Sequence, residues 1–569
     1  MFPKFKKCFF VFLKKDFVFF VPELPPRLVA VRHQSKTGWK ALCILTHRNF
    51  VSRDSMHSTE RYLETYLYHT PISYTMKQRK YTYWLLGIFF FTVGIRLIIS
   101  FTIPNFTYDS YFHLRQIEHI SATGLPLYND PLSYGGRQHI FLPVFHYVMA
   151  FFNVFIPLEI AAKIIPNILF ALLTILAYLI AKRTTNDEPA ALLSALIAGF
   201  LPILFTPNSL DPAALFFPLV FLNIYAFLRL TEKKYLYLYL TSFITLSFTS
   251  SAASLLIIGY GVYGILSFIE LKTLPKIEKE LIIFALFFFV WSQFLFFKNT
   301  LLSQGIRFIW RNVPPQIISM YFPGISIPKA IVAVGIIPFV VGIIITYRSL
   351  FQLRDRKLLF LLSLIISTTV LTWLKLMEFE FSLAFFGLIL AIFFASFYAQ
   401  SSGYLEKTTL KFLKKNYGLI IIILLSLSTI GPAITIALHQ PTPTVEEVTA
   451  FQWLKENLPA NSTAATLVEE GHLITYYGQH KNMMDNQFAL AKDAGSRFAD
   501  LQFLYTTVFQ TQALEIMDKY NVDYLVLTPH AQEKYNFAGF KYYSPHCFKR
   551  VYGAETRIYY VKCSLQEAS

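Results

Sequence analysis

The run IAAKIIPNILFALLTILAYLIA, Ile160–Ala181, decides the fold class. Its one charge is Lys163, it ends on Lys182 and Arg183, and as a helix it is long enough to cross the roughly 30 Å hydrocarbon core of a bilayer. Comparable runs lie at Trp84–Ile103, Pro189–Phe205, Pro212–Leu230, Tyr235–Thr249, Ser251–Ile269, Leu281–Phe297, Ala330–Tyr347, Leu358–Leu374, Phe381–Tyr398 and Tyr417–Leu438. Together they predict a mainly α membrane protein with about eleven transmembrane helices. Composition agrees: of 569 residues, 54% are hydrophobic and only 15% charged, against roughly a quarter charged in soluble domains. Cytosolic-enzyme, DNA-binding and disulfide-scaffold classes are excluded as the main account.

A twelfth run, Ile140–Ile156, is interrupted by Pro143 and carries His146, which suits an interfacial helix as well as a span. Charge decides between the two counts. With eleven crossings, Lys182/Arg183, Lys233/Lys234, Lys272/Lys276/Lys279, Arg348/Arg354/Arg356/Lys357 and Lys407/Lys411/Lys414/Lys415 share one face. Positive loops stay inside, so the N-terminus is expected in the cytoplasm and residues 440–569 outside, in the cell membrane. The formal net charge of +17 then reflects cytoplasmic loops rather than a nucleic-acid partner.

Residues 1–75 form a basic stretch with no span. Met76-Lys77-Gln78-Arg79-Lys80 reads as a cytoplasmic start, so the preceding segment is expected to be a mis-assigned or disordered tail. Residues 76–439 make the multi-span domain. After Pro441-Thr442-Pro443 the composition becomes that of a soluble α/β domain, 440–569, with a helix over Glu446–Asn457, strands at Ala464–Val468 and Tyr524–Thr528, and a helix at Gln512–Tyr520. Cys547 and Cys563 flank a hairpin turn there; an oxidising exterior permits a bridge, although spacing alone does not establish it. Asn461-Ser462-Thr463 and Asn105-Phe106-Thr107 are acceptor sequons on the same face, Asn461 being the better placed.

The exterior loops carry the chemistry. Asp109, among aromatics beyond the first span, suits a metal ligand or a base, although on spacing alone a helix N-cap is the plainer reading. Asp211 before Pro212 reads as an N-cap and, compatibly, as part of an anion site at a helix N-terminus. Arg307 and Arg311, four apart in a loop without acids, suit a phosphate or diphosphate and equally a general lipid-headgroup anchor. Glu378 and Glu380 are reserve acids for a third ligand, or solvated loop residues.

Asp109-Ser-Tyr-Phe-His-Leu-Arg115, Gly124-Leu-Pro-Leu-Tyr128 and Pro143-Val-Phe-His-Tyr147 together resemble the first exterior loop of the oligosaccharyltransferase catalytic subunit, within the C-type glycosyltransferase superfamily. The resemblance covers most of residues 76–569 in layout. It implies that Asp109 meets both metal and acceptor amide, and that Asp211 is a metal ligand whose partner acid is replaced by Ala213. Phe451-Gln-Trp-Leu-Lys-Glu-Asn-Leu-Pro459 resembles the entry to the family's exterior domain. Glu469, Glu470, Gly471 and His472 fall where the family reads the acceptor sequon; only Gly471 matches its Trp-Trp-Asp-Tyr-Gly signature, and loop 298–328 lacks the family's catalytic Glu.

The resemblance therefore implies a membrane glycosyltransferase drawing on a polyprenyl-phosphate or -diphosphate donor, with protein or glycan as acceptor. Asp109 and Asp211 are expected to hold a weakly bound divalent cation, magnesium or manganese, while Arg307 and Arg311 neutralise the leaving phosphate. The alternatives are a mannosyltransferase-like enzyme acting on hydroxyls and a non-catalytic paralogue that binds lipid-linked glycans. Oligomeric state stays open.

Overall fold

The computed structural model describes residues 28–35, 38–45, 72–304, 326–351, 355–409, 411–488, 491, 493–553 and 555–565. It divides into two units, Met1–Arg79 and Lys80–Ser569. In the first, where the sequence suggests a disordered tail, Leu28–Ser35 and Gly38–Leu45 form an antiparallel hairpin, with Leu28 opposite Leu45. Val29 and Val31 in the first strand and Trp39 and Ile44 in the second are residue types enriched in pleated ribbons.

The second unit is mainly helical. Among the described residues seven helices are long and apolar enough to cross a membrane: Arg79–Thr102, Leu158–Thr185, Ser251–Glu270, Lys276–Leu302, Arg356–Trp373, Phe379–Glu406 and Lys415–Leu438. An eighth apolar segment is a bent pair, Ile327–Val334 and Ile336–Phe351, meeting at 96°. Gly335 makes the bend at φ +94°, and a Cβ there would sit 2.8 Å from a Thr429 methyl. The protein is a multi-pass membrane protein.

By length and composition, seven or eight of the expected eleven spans are met among the described residues. All eleven runs are helical, but three form the short helices Glu188–Gly199, Ala213–Phe227 and Lys233–Ser247, of 12, 15 and 15 residues. Each rises only about 18–22 Å. The first of these runs looks longer because Leu201 and Phe205 leave the helix and pack inside the bundle. Hydropathy registers burial against protein and burial in lipid alike. The Ile140–Ile156 run contributes the ten-residue helix Val144–Asn153, too short to cross, in keeping with an interfacial helix.

Burial also sorts the long helices. Phe379–Glu406 is enclosed without a break from Gly387 to Ser396, as an all-round apolar helix should be. Arg79–Thr102 and Lys276–Leu302 expose Phe90, Phe91, Phe287 and Trp291.

Buried polar residues then pin the helix ends. Arg96, 2% exposed, donates to the Leu204 carbonyl at 2.6 Å and to Asn167 Oδ1 at 3.3 Å. Asn167 donates to the Pro207 carbonyl at 2.8 Å, and Ser100 Oγ lies 2.9 Å from Asn208 Oδ1. Lys163 Nζ donates to the carbonyls of Ser100 and Ile103. Arg96, Asn167 and Lys163 are thus spent largely on backbone of the Leu204–Asn208 turn or the end of the first span, where unpaired carbonyls would be costly.

The C-terminal region carries a five-stranded mixed sheet in the order Lys481–Asn482, Thr463–Ala465, Tyr524–Leu527, Arg557–Val561, Phe548–Gly553. The first two pairings are parallel and the last two antiparallel. Val445–Asn457 opens it with a capping box, Thr444 and Glu447 bonding each other's backbone N–H. Cys547 and Cys563 are disulfide-bonded. For a closed loop of that size, separation 16, the bond restricts the unfolded chain by about 3 kcal/mol. Cys547→Ser is expected to lower the unfolding midpoint of the C-terminal region in non-reducing buffer; an unchanged midpoint would refute a structural role.

Candidate active site

Three helices begin close together: Ser110–Thr123, Ala213–Phe227 and Phe379–Glu406, preceded by Asp109, Asp211 and Glu378. Backbone and side-chain bonds stitch the first two starts together. Thr107 N–H donates to the Asn208 carbonyl at 3.1 Å, and Leu210 N–H donates to Ser110 Oγ at 2.9 Å. The turn held by Arg96 and Asn167 therefore brings Asp211 beside Asp109.

The two aspartates differ locally. Asp211 does cap its helix, accepting from Ala213 N–H at 2.5 Å. Asp109 does not: its carboxylate makes no bond to the helix it precedes, which corrects the plainer N-cap reading. Instead Asp109 Oδ1 accepts from Asn486 Nδ2, a residue of the C-terminal region.

Electrostatics places Glu378 with them. Protein crowds Asp109 on all sides but its solvent-facing edge; that desolvation, then the Asp211 charge and that of Glu469, pushes its carboxyl up to about 6 against the Asn486 bond. Asp211 and Glu378 both keep an exposed edge, but the protein packed around them strips part of their hydration. That desolvation raises Asp211, opposed by Ala213 N–H, and pushes Glu378 up to about 7, helped by Asp211, Asp109 and Glu380. Three carboxylates thus bear on one another where three helix N-termini turn their positive ends. Among the described residues, no group of three His, Cys, Asp or Glu stands close enough to hold a metal ion by itself.

The residues matched to the sequon reader lie beside this site, mostly engaged inward. Glu469 accepts from Lys534 Nζ at 2.6 Å. Glu470 is fully buried, accepts from Thr528 Oγ1 at 2.5 Å, and burial pushes its carboxyl up to about 8. Gly471 packs so closely on the next segment that a Cβ would lie 2.3 Å from the Met484 carbonyl. His472 Nε2 bonds Asn486 Oδ1 at 2.6 Å.

Sequence reasoning missed the segment Asn482–Gln487. Asp485, fully buried, accepts from Ser133 Oγ (2.6 Å), Asn482 Nδ2 (3.0 Å), Gln487 N–H (3.0 Å) and Arg137 (3.2 Å). Tyr134 N–H donates to Asn482 Oδ1 at 2.7 Å, and Arg115 makes a two-pronged pair with Asp130. Loop 130–137 therefore locks the segment that presents Asn486. Nothing in a stretch reading Asn-Met-Met-Asp-Asn-Gln announces this, because its partners lie some 350 positions away.

Behind Asp109, His113 Nδ1 and His146 Nε2 bond at 2.9 Å, both held neutral by burial. The pair fastens the interfacial helix Val144–Asn153 to Ser110–Thr123. Arg307 and Arg311 lie outside the described residues. Of the two sequons, Asn461 is exposed, whereas Asn105 donates to the Pro443 carbonyl.

No family model matches the chain. It is 22% identical over 520 residues to the dolichyl-phosphooligosaccharide-protein glycotransferase 2 of Archaeoglobus fulgidus, covering 78% of this chain and 85% of the relative. Its fold is similar to that of the archaeal oligosaccharyltransferase AglB of A. fulgidus, solved with an inhibitory peptide and a dolichol-phosphate: TM-score 0.61, 14% identity, 78% of this chain and 69% of that one. A structure of an A. fulgidus oligosaccharyltransferase with zinc and sulfate superposes with TM-score 0.53 at 14% identity, over 80% and 71%.

Proposed function

We propose that this chain, a glycosyltransferase of the oligosaccharyltransferase catalytic-subunit family, moves an oligosaccharide from a polyprenyl-phosphate or -diphosphate donor to an asparagine side chain of a protein acceptor. The observation that carries the reading is the meeting of Asp109, Asp211 and Glu378 at three helix N-termini, with a carboxamide already bonded to Asp109. In the transfer, the acceptor nitrogen bonds to the sugar's anomeric carbon. The bond from that carbon to the phosphate oxygen breaks, the electron pair leaves with the phosphate, and one amide proton passes to a carboxylate.

Asp109 orients the nitrogen and withdraws its proton. Asp211 and Glu378 supply hard oxygen donors, and the helix N-termini favour the phosphate. The mutual repulsion of these acids fits a divalent cation among them, magnesium or manganese by donor type, with donor phosphate oxygens completing the shell. When bound, the cation would neutralise charge growing on the leaving phosphate. Arg307 and Arg311 are proposed to share that task. Because Glu469, Glu470 and His472 are committed to internal partners, reading of the sequon's hydroxyl residue, two positions after the acceptor asparagine, is proposed to be looser than a dedicated pocket would allow.

With all eleven apolar helices crossing, the three short ones included, the basic loops share one face, which supports placing the domain 440–569 and the site outside and the N-terminus in the cytoplasm. Purified protein incubated with lipid-linked sugar from its own host and an Asn-Ala-Thr peptide should give a glycopeptide by mass spectrometry. Chelation should abolish the product, and magnesium or manganese should restore it. Peptide left unmodified, or sugar found on a hydroxyl, would overturn the asparagine reading.

A further inference from the structure

The contact between Asn486 and Asp109 has an unusual chemical content. An ionised carboxylate only accepts, so the Asn486 amide nitrogen must face Asp109 and its carbonyl oxygen must face His472. That oxygen only accepts in turn, so His472 carries its proton on Nε2. Partners at both ends thus fix the orientation of the carboxamide. Its base is fixed too, by the bonds to the adjacent Asp485 and by the close approach of Gly471 to Met484 and Asp485. The side chain itself is only half-buried.

We propose that Asn486 occupies the acceptor's place on Asp109, a carboxamide supplied by the chain itself that an incoming acceptor must displace. This rests on the reading that Asp109 meets the acceptor. The displaced and displacing groups are then the same functional group, each offering N–H donors to one carboxylate oxygen. Asn486 is a specificity-determining residue in this scheme: a group that donates to a carboxylate less well than a carboxamide does not clear the site. His472 sets the threshold, because its bond to the Asn486 oxygen holds the internal carboxamide in place. A site whose competent form is only fractionally populated binds with proportionally reduced affinity, so occupancy of about nine-tenths weakens acceptor binding about tenfold.

The test uses the detergent-solubilised full chain and a fluorescent Asn-Ala-Thr peptide, measuring binding by polarisation without donor and transfer with it. Asn486→Ala should tighten binding several-fold and lower the acceptor KM equally. Asn486→Leu, of similar bulk but with no N–H, should do the same. Unchanged or weaker binding in both Asn486 variants, with a fall in kcat, would make Asn486 a support for Asp109 and overturn the proposal. Tightening in the alanine variant alone would assign the effect to bulk and overturn it as well. A wild type that transfers nothing while both variants bind the peptide more tightly would sink the proposed function and uphold the subsite; one that transfers normally while neither variant binds better sinks this inference alone.

Discussion

Replacing Asp109 or Asp211 with asparagine should reduce sugar transfer by at least about 10²-fold, the scale of losing a positioned proton acceptor or charge stabiliser. Both variants should still insert and fold, because neither carboxylate supports the core. Their stability should equal or exceed that of wild type at neutral pH, since each removes one of three mutually repelling charges. The sign follows from linkage. A carboxyl raised in the folded state to about 6, as Asp109 is, or about 7, as Glu378 is, binds its proton more tightly folded than unfolded. In chelated protein these groups therefore add stability as pH falls from about 7 toward the ordinary carboxyl range near 4, and that slope should flatten in Asp109→Asn. Activity runs the other way, failing as pH drops through about 6. Thermal unfolding across pH, beside transfer assays on the same preparations, checks both. A variant retaining a tenth of wild-type transfer, or one that fails to fold, would refute the assignment.

Asp485→Ala should be the most damaging single change for stability outside the membrane helices. It removes a fully buried carboxylate and leaves Arg137, Ser133 and Asn482 without their partner, a loss of about 3–5 kcal/mol for a broken buried pair. Burial alone would raise this carboxyl, but His472, Arg137, Ser133 and Asn482 outweigh it and hold it below the ordinary range. Its contribution is therefore present at neutral pH and is lost only in acid, as the pH falls through that lowered value. Limited proteolysis around residues 482–487 and the unfolding midpoint would report the loss. Because this segment carries Asn486 to Asp109, acceptor binding should fail with it. A proteolysis pattern like wild type would show that loop 130–137 docks by other means.

The two changes act at different depths. Asp109 lies at a surface edge where function tolerates repulsion, whereas Asp485 sits where every polar atom must be paired.

Membrane character, the helical identity of all eleven apolar runs, and the helix and strand starts of the C-terminal region were legible in the sequence. These are local properties: hydrophobic run length, proline breaks and capping residues act within one or two turns. Asp109 and Asp211 stood out for the same reason, as acids at the ends of apolar helices. The number of long spans was not legible, because side chains such as Phe205 are equally apolar whether they face lipid or protein. Nor was the inward commitment of Glu470, which depends on Thr528, 58 positions on. The contact between Asn486 and Asp109 spans 377 positions. It exists only because Gly471 and the Asp485 network lock one segment, while Asn167 and Ser110 lock the other. Tertiary packing alone decided that meeting, since no local propensity brings an asparagine to a carboxylate from so far along the chain.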